Sequence, residues 1–126
     1  MSTPWSEEEV YLVARSAFDL AMQGQYDDAA IIFDGLAAAA PDNSYVRCSL
    51  AALCVQLQQP ETALTVLAAA QDSPRAAQLR VEALLDLKKP AEAGRELRRM
   101  GAAMRPAIAE RLALQIMNAE HRISTV

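Results

Sequence analysis

The chain nearly repeats itself at an offset of 34 residues, and no other feature restricts its fold as strongly. Gly24-Gln25-Tyr26-Asp27-Asp28-Ala29-Ala30-Ile31-Ile32-Phe33 aligns with Gln58-Gln59-Pro60-Glu61-Thr62-Ala63-Leu64-Thr65-Val66-Leu67. A third copy, Lys88-Lys89-Pro90-Ala91-Glu92-Ala93-Gly94-Arg95-Glu96-Leu97, follows 30 residues after the second. A period of this length marks stacked helix–turn–helix hairpins, each unable to bury its apolar face alone. Such units stack into a curved solenoid, which holds a peptide or partner more often than it does chemistry.

Composition agrees with helices throughout. Apolar residues make up 52% of the 126 and charged residues 22%, the balance of a folded chain long enough for one domain with a core. Alanine is frequent, as in Ala37–Ala40 and Ala68–Ala70, and it is the best helix former. There are four glycines and few aromatics, and no β-branched run alternates as a strand would. The expected fold is all-α: a right-handed α-solenoid of three helical hairpins plus a C-terminal capping helix, about seven helices in a single domain.

Turn and cap signals place the elements. Ser6 with Glu9 three residues on forms a capping box, so the first helix should start there and stop at Gly24, with residues 1–5 fraying. A second helix should run from Asp27 to Ala40, ended by Pro41-Asp42-Asn43. The second repeat then starts near Ser44, with Pro60 in the first turn of its second helix. The connection from Ala70 to Ser73-Pro74 is short, which predicts a second helix in that repeat shorter by one turn. Helices near 74–87 and 90–103 complete the third repeat, and Pro106 opens a capping helix to about Ala119, with His121–Val126 fraying. The repeats thus occupy about 10–43, 44–73 and 74–105, and the cap about 106–119.

The net charge is −4 and is uneven. Residues 1–63 carry two basic and nine acidic side chains (−7), and residues 64–126 carry ten basic and seven acidic ones (+3). The chain lacks the overall basic character of a nucleic-acid binder. Lys88, Lys89, Arg95, Arg98 and Arg99 cluster around the third hairpin; with Glu92 and Glu96 among them they read as a solvated, ion-paired helix face, or else as a dock for an acidic partner. Cys48 and Cys54 fall on one expected helix and would point about 120° apart, beyond disulfide reach. They are expected to be reduced core or groove residues, in keeping with a cytoplasmic location. No signal-peptide pattern precedes Glu7-Glu8-Glu9, and no stretch is long and apolar enough to insert in a membrane.

The repeats resemble the tetratricopeptide family over roughly residues 10–105. The family pattern is met in repeat one by Ala17, Gly24, Tyr26, Ala29, Phe33 and Pro41. Repeat two supplies Ala51, Pro60, Ala63 and Leu67, and repeat three Val81, Pro90, Ala93 and Leu97. The tryptophan-type position is taken by Val13, Arg47 and Ala77, and the later turns lack glycine. More narrowly, residues 20–36, the size and the helical cap resemble small acidic chaperones of bacterial type III secretion. That resemblance implies a protein-binding chaperone that shields an apolar segment of a secretion substrate or apparatus component. The alternative is a general adaptor working outside secretion. A homodimer, or a heterodimer with a small secretion protein, is compatible with either.

In the family's arrangement the first helix of each repeat lines the concave face. The residues placed there are Tyr11, Ala14, Phe18 and Ala21; then Tyr45, Cys48, Ala52 and Val55; then Arg75, Gln78, Glu82 and Leu85. The stripe is apolar over two repeats and polar at the third, and Tyr11 and Tyr45 should be stacked neighbours. Small residues between aromatics leave pockets for large apolar anchors. The two-carboxylate clamp known in some members would need several donors, and only Arg75 among Ala14, Phe18, Ser49, Arg75 and Leu79 could supply one. On the last helix, Ile108, Leu112, Ile116 and Ala119 form a stripe that reads as a cap or as a dimer or partner contact. Nothing suggests an enzyme: the one histidine, His121, lies near the C-terminus, and no phosphate loop or metal-ligand spacing occurs. No cofactor, metal or nucleic acid is expected.

Overall fold

A computed structural model describes residues 5–124, and among them there are seven α-helices and no strand. They are α1 (Glu7–Met22), α2 (Tyr26–Ala39), α3 (Ser44–Gln56), α4 (Pro60–Ala68), α5 (Pro74–Asp86), α6 (Pro90–Met100) and α7 (Pro106–Ser124), with a 3-10 turn, Gly101–Ala103, between the last two. The fold is a tetratricopeptide-like helical-repeat solenoid. The hairpins are α1–α2, α3–α4 and α5–α6. The capping box closes at both ends: Glu9 N donates to Ser6 Oγ at 3.1 Å and Ser6 N to Glu9 Oε1 at 3.0 Å. Asn43 and Ser73 cap α3 and α5 by accepting from Val46 N and Ala76 N. Their side-chain oxygens satisfy amides that the first turn of a helix leaves without a partner.

The three hairpin turns are one structure made from different residues. Gly24, Gln58 and Lys88 all sit at positive φ, at 82°, 63° and 63°. In each case the amide of that residue reaches back three residues and the next amide reaches back five. Gly24 N bonds Ala21 O and Gln25 N bonds Leu20 O; Gln58 N and Gln59 N bond Val55 O and Cys54 O; Lys88 N and Lys89 N bond Leu85 O and Leu84 O. This is the paired bonding of a helix ended by a left-handed residue. The turn therefore persists where its glycine does not, at the steric cost of a Cβ in the left-handed region.

The shortened helix of repeat two comes out as expected: α4 has nine residues where α2 has fourteen. Arginines from the flanking first helices finish its end. Arg47 Nη1 donates to Val66 O at 3.3 Å and Arg80 Nη2 to Leu67 O at 3.3 Å. The last carbonyls of a helix have no partner within it, and cationic side chains suit them doubly because the dipole is negative there. Arg47 also donates through Nε to Pro41 O at 2.6 Å. So the residue at the family's tryptophan-type position ties the α2–α3 loop to the end of α4. The α4–α5 loop is pinned by Gln71 N on Ser44 Oγ at 2.9 Å and by Asp72, which pairs with Arg80 at 3.3 Å and Arg99 at 2.6 Å. Glu96 takes the other side of Arg99 and lies 3.6 Å from Arg80.

The core runs the length of the solenoid in two sections that meet at α5. Ala76, Leu79 and Ala83 join the section built from α1 to α4, around Phe33, Leu36, Val46 and Leu67. Ala77 and Val81 join the other, with Ala93, Met104, Leu112 and Ile116. The repeat alanines Ala29, Ala63 and Ala93 are fully buried, where the helices of each hairpin pack most closely. The last helix departs from its expected end: α7 continues past Ala119 through His121 to Ser124. Its run from Pro106 contains no glycine or further proline to stop it. Trp5 precedes the first helix and is half exposed, and the other residues assigned to frayed ends, 1–4 and 125–126, lie outside the described residues.

Candidate functional site

The curvature follows from which helices touch. Successive first helices pack on one another, α1 on α3, α3 on α5, α5 on α7, whereas the second helices α2, α4 and α6 make no comparable contact. The first helices therefore form the inner layer, and their free faces line the concave side.

Phe18, Ala21 and Met22 of α1, Tyr26 and Phe33 of α2, Ser49, Ala52, Leu53 and Gln56 of α3, and Arg75 of α5 enclose a pocket of about 320 Å³. That is near the lower end for ligand pockets, the size for one or two large side chains rather than a long segment. Beyond the pocket, Tyr11 and Tyr45 lie side by side with ring centroids 5.8 Å apart and planes tilted by 39°. Their 34-residue separation places them on adjacent first helices, as the repeat requires. Arg15 donates to the Tyr11 hydroxyl at 3.4 Å, a long bond that leaves the ring faces open.

The other half of the concave face is a wider trough of about 1040 Å³ between α3, α5 and α7. Val55, Leu85, Ala119 and Ile123 give it apolar patches, and Glu82, Asp86, Lys88, Arg111 and Arg122 give it charge. Glu82 accepts from Gln78 Nε2 at 3.1 Å and pairs with Arg111 at 3.4 Å, so α5 and α7 are tied across it.

The twelve residues placed on the concave stripe divide accordingly. Phe18, Ala21, Ala52 and Arg75 line the pocket, and Val55, Glu82 and Leu85 line the trough. Tyr11 and Tyr45 form the ring pair, and Gln78 is half buried beside Glu82. Ala14 and Cys48 are corrections: they are 0% and 7% exposed, belong to the core, and present no surface to a partner. A stripe drawn at three- and four-residue steps assumes that the helices part along it, but α1 and α3 close over these two positions. Burial pushes the thiols of both Cys48 and Cys54 up, with Arg75 and Arg80 opposing the shift at Cys48, and both are free cysteines on α3. Raised thiols are poor nucleophiles.

The lining also includes residues outside the stripe, among them Phe33, Ser49, Leu53 and Gln56 in the pocket and Gln58, Asp86 and Lys88 in the trough. Met22 and Tyr26 reach the pocket from the end of α1 and the start of α2. Arg111, Gln115, Ala119, Arg122 and Ile123 reach the trough because α7 lies in register with the first helices and walls it on the side away from α3. The signal for α7 was present in its length and its Pro106 start, the same opening as α5 at Pro74.

Residues 20–80, from the last turn of α1 to the middle of α5, match the tetratricopeptide repeat family. That stretch is similar to tetratricopeptide repeats. Repeats of this family are protein-interaction modules. No curated protein and no solved structure matches the chain. No helix among the described residues is long and apolar enough to cross a membrane.

Proposed function

We propose that the chain is a protein-binding chaperone whose concave groove shields an apolar segment, helical or extended, of a type III secretion substrate or apparatus component until export. One observation carries the binding reading. Tyr11, Phe18, Met22 and Tyr45 stay 47%, 47%, 73% and 46% exposed on the inner side of α1 and α3. Large apolar groups gathered on one concave surface mark an interaction site more often than a solvated face. Burying them against a client contributes about 25 cal/mol per Å² before the cost of association. The pocket beside Phe18 takes a large apolar anchor, and the charged trough takes the more polar continuation of the same segment. The likeness of residues 20–36 to small secretion chaperones supports the class of client.

The test is capture of the tagged protein from its native host, with mass spectrometry of what co-elutes and the Phe18→Glu variant run beside it. One small secretion-associated protein in stoichiometric amount, lost from the variant, is the expected result. Retention of a large folded complex with no such client would favour the adaptor outside secretion and remove the chaperone reading.

A further inference from the structure

The pocket beside Phe18 contains one charged side chain, Arg75, and no carboxylate. Phe18, Phe33 and Leu53 contribute apolar walls, and the polar side chains Ser49, Gln56 and Arg75 converge on them from α3 and α5. An apolar pocket with a few convergent polar groups fixes the orientation of what it binds. All three groups can donate a hydrogen bond, and Arg75 does so with a full positive charge. Among the described residues none of these three side chains has a hydrogen bond or an ion pair.

Arg75 differs in this from the other arginines of α1, α3 and α5. Arg15 donates to Tyr11, Arg47 to Pro41 and Val66, and Arg80 to Leu67. Arg75 holds the repeat position that Tyr11 and Tyr45 hold before it, so it belongs to the concave row. It also stands in the first turn of α5, where no acidic residue offsets it and the helix dipole disfavours a cation. Neither an internal partner nor the stability of α5 accounts for this charge, whereas an anionic group brought by the bound segment does.

We propose that the segment held by the concave face carries an acidic side chain beside its large apolar anchor, so that the anchor fills the pocket against Phe18 and Phe33 while the carboxylate accepts from Arg75. This rests on the reading of the concave face as the binding surface and adds the chemistry that it selects. The acid is a side chain and not a chain end, because the concave face runs on from α3 and α5 into the trough, where the segment continues. A charge-assisted hydrogen bond is strong and directional, and more so at the edge of an apolar pocket than in open water. Arg75 thereby sets the register of the segment as well as its affinity.

Fluorescence anisotropy of labelled synthetic peptides with the full chain tests this. Each peptide carries one Phe anchor, Glu, Gln or Lys at the flanking positions, and an amidated C-terminus; a second set has a free C-terminus and no flanking acid. The wild type should bind the Glu peptides about tenfold more tightly than their Gln analogues, with the gap narrowing as salt is added. Arg75→Glu, which the α5 dipole favours, should keep the circular dichroism spectrum and thermal midpoint and shift the preference to the Lys peptides. Phe18→Glu should weaken every peptide. Equal binding of Glu and Gln peptides that Phe18→Glu abolishes would overturn the acidic partner and leave the groove reading standing. Binding that Phe18→Glu leaves intact would overturn both. A preference confined to the free C-termini, or no binding at the highest soluble concentration, would also overturn the proposal.

Discussion

Gln58 and Lys88 hold a backbone conformation that side chains disfavour by about 1–2 kcal/mol. Glycine at either site relieves that cost and gives back part of it as unfolded-state entropy. Gln58→Gly and Lys88→Gly should therefore each raise stability by roughly 0.5–1 kcal/mol in urea titrations, whereas Gly24→Ala, at φ 82° with open space around its Cβ position, should lower it by a similar amount. The same residues show what the sequence conveys and what it conceals. The glycine signature was readable at one turn of three, yet the backbone is the same at all three, because the packing of Ala29, Ala63 and Ala93 between their helices dictates where each hairpin must bend. Those alanines were legible from the repeat alone. Ala29→Arg or Ala63→Arg places an unpaired charge where there is no room for it, with an expected loss of about 3–5 kcal/mol, enough to abolish cooperative thermal unfolding. An Ala63→Arg chain that unfolds with an unchanged midpoint would show that the alanine does not lie between helices.

At the level of elements, α4 departs furthest from the repeat, and its shortness is compensated by arginines. Arg47 and Arg80 each donate to a carbonyl near its end, so Arg47→Met and Arg80→Met should each cost about 1–2 kcal/mol. Arg80 also belongs to the cluster with Asp72, Arg99 and Glu96. Hydrogen bonds from Arg99 first, and from Arg80, hold the Asp72 carboxyl below its ordinary 3.8, at about 2. A carboxyl depressed by folding adds stability that is complete above its ordinary value and disappears as pH falls through the folded one. The Asp72 contribution is thus present above about pH 4 and lost toward pH 2. Unfolding midpoints measured across that window should fall more steeply for the wild type than for Asp72→Asn, and salt should narrow the gap because the pair is exposed. The short helix was legible from the spacing of the repeats. The arginines were not, since a basic residue at the tryptophan-type position reads as a departure from the pattern until the carbonyls it serves are in view. The last helix was legible at its start and not at its end. Its stripe Leu112–Ile116 announced a cap, but only the stacking of α7 on α5 shows that it also walls the groove.

For the molecule as a whole, the concave face combines an apolar half, built by α1 and α3, with a charged half that α7 completes. The order of polarity along the groove was readable from helical spacing, and ten of the twelve stripe residues keep exposed surface. Ala14 and Cys48 were the exceptions, because spacing gives the direction of a side chain but not the distance at which the next helix closes over it. Binding through the concave face requires Phe18, 47% exposed beside the pocket, to be a contact surface and not core. The direct measurement is the affinity of the captured client for the wild type and for Phe18→Glu, with circular dichroism of both. Helicity should be unchanged and binding weaker by at least about 30-fold, the effect of losing a central anchor. Equal affinities would move the partner off the concave face, and loss of helicity in the variant would make Phe18 part of the core.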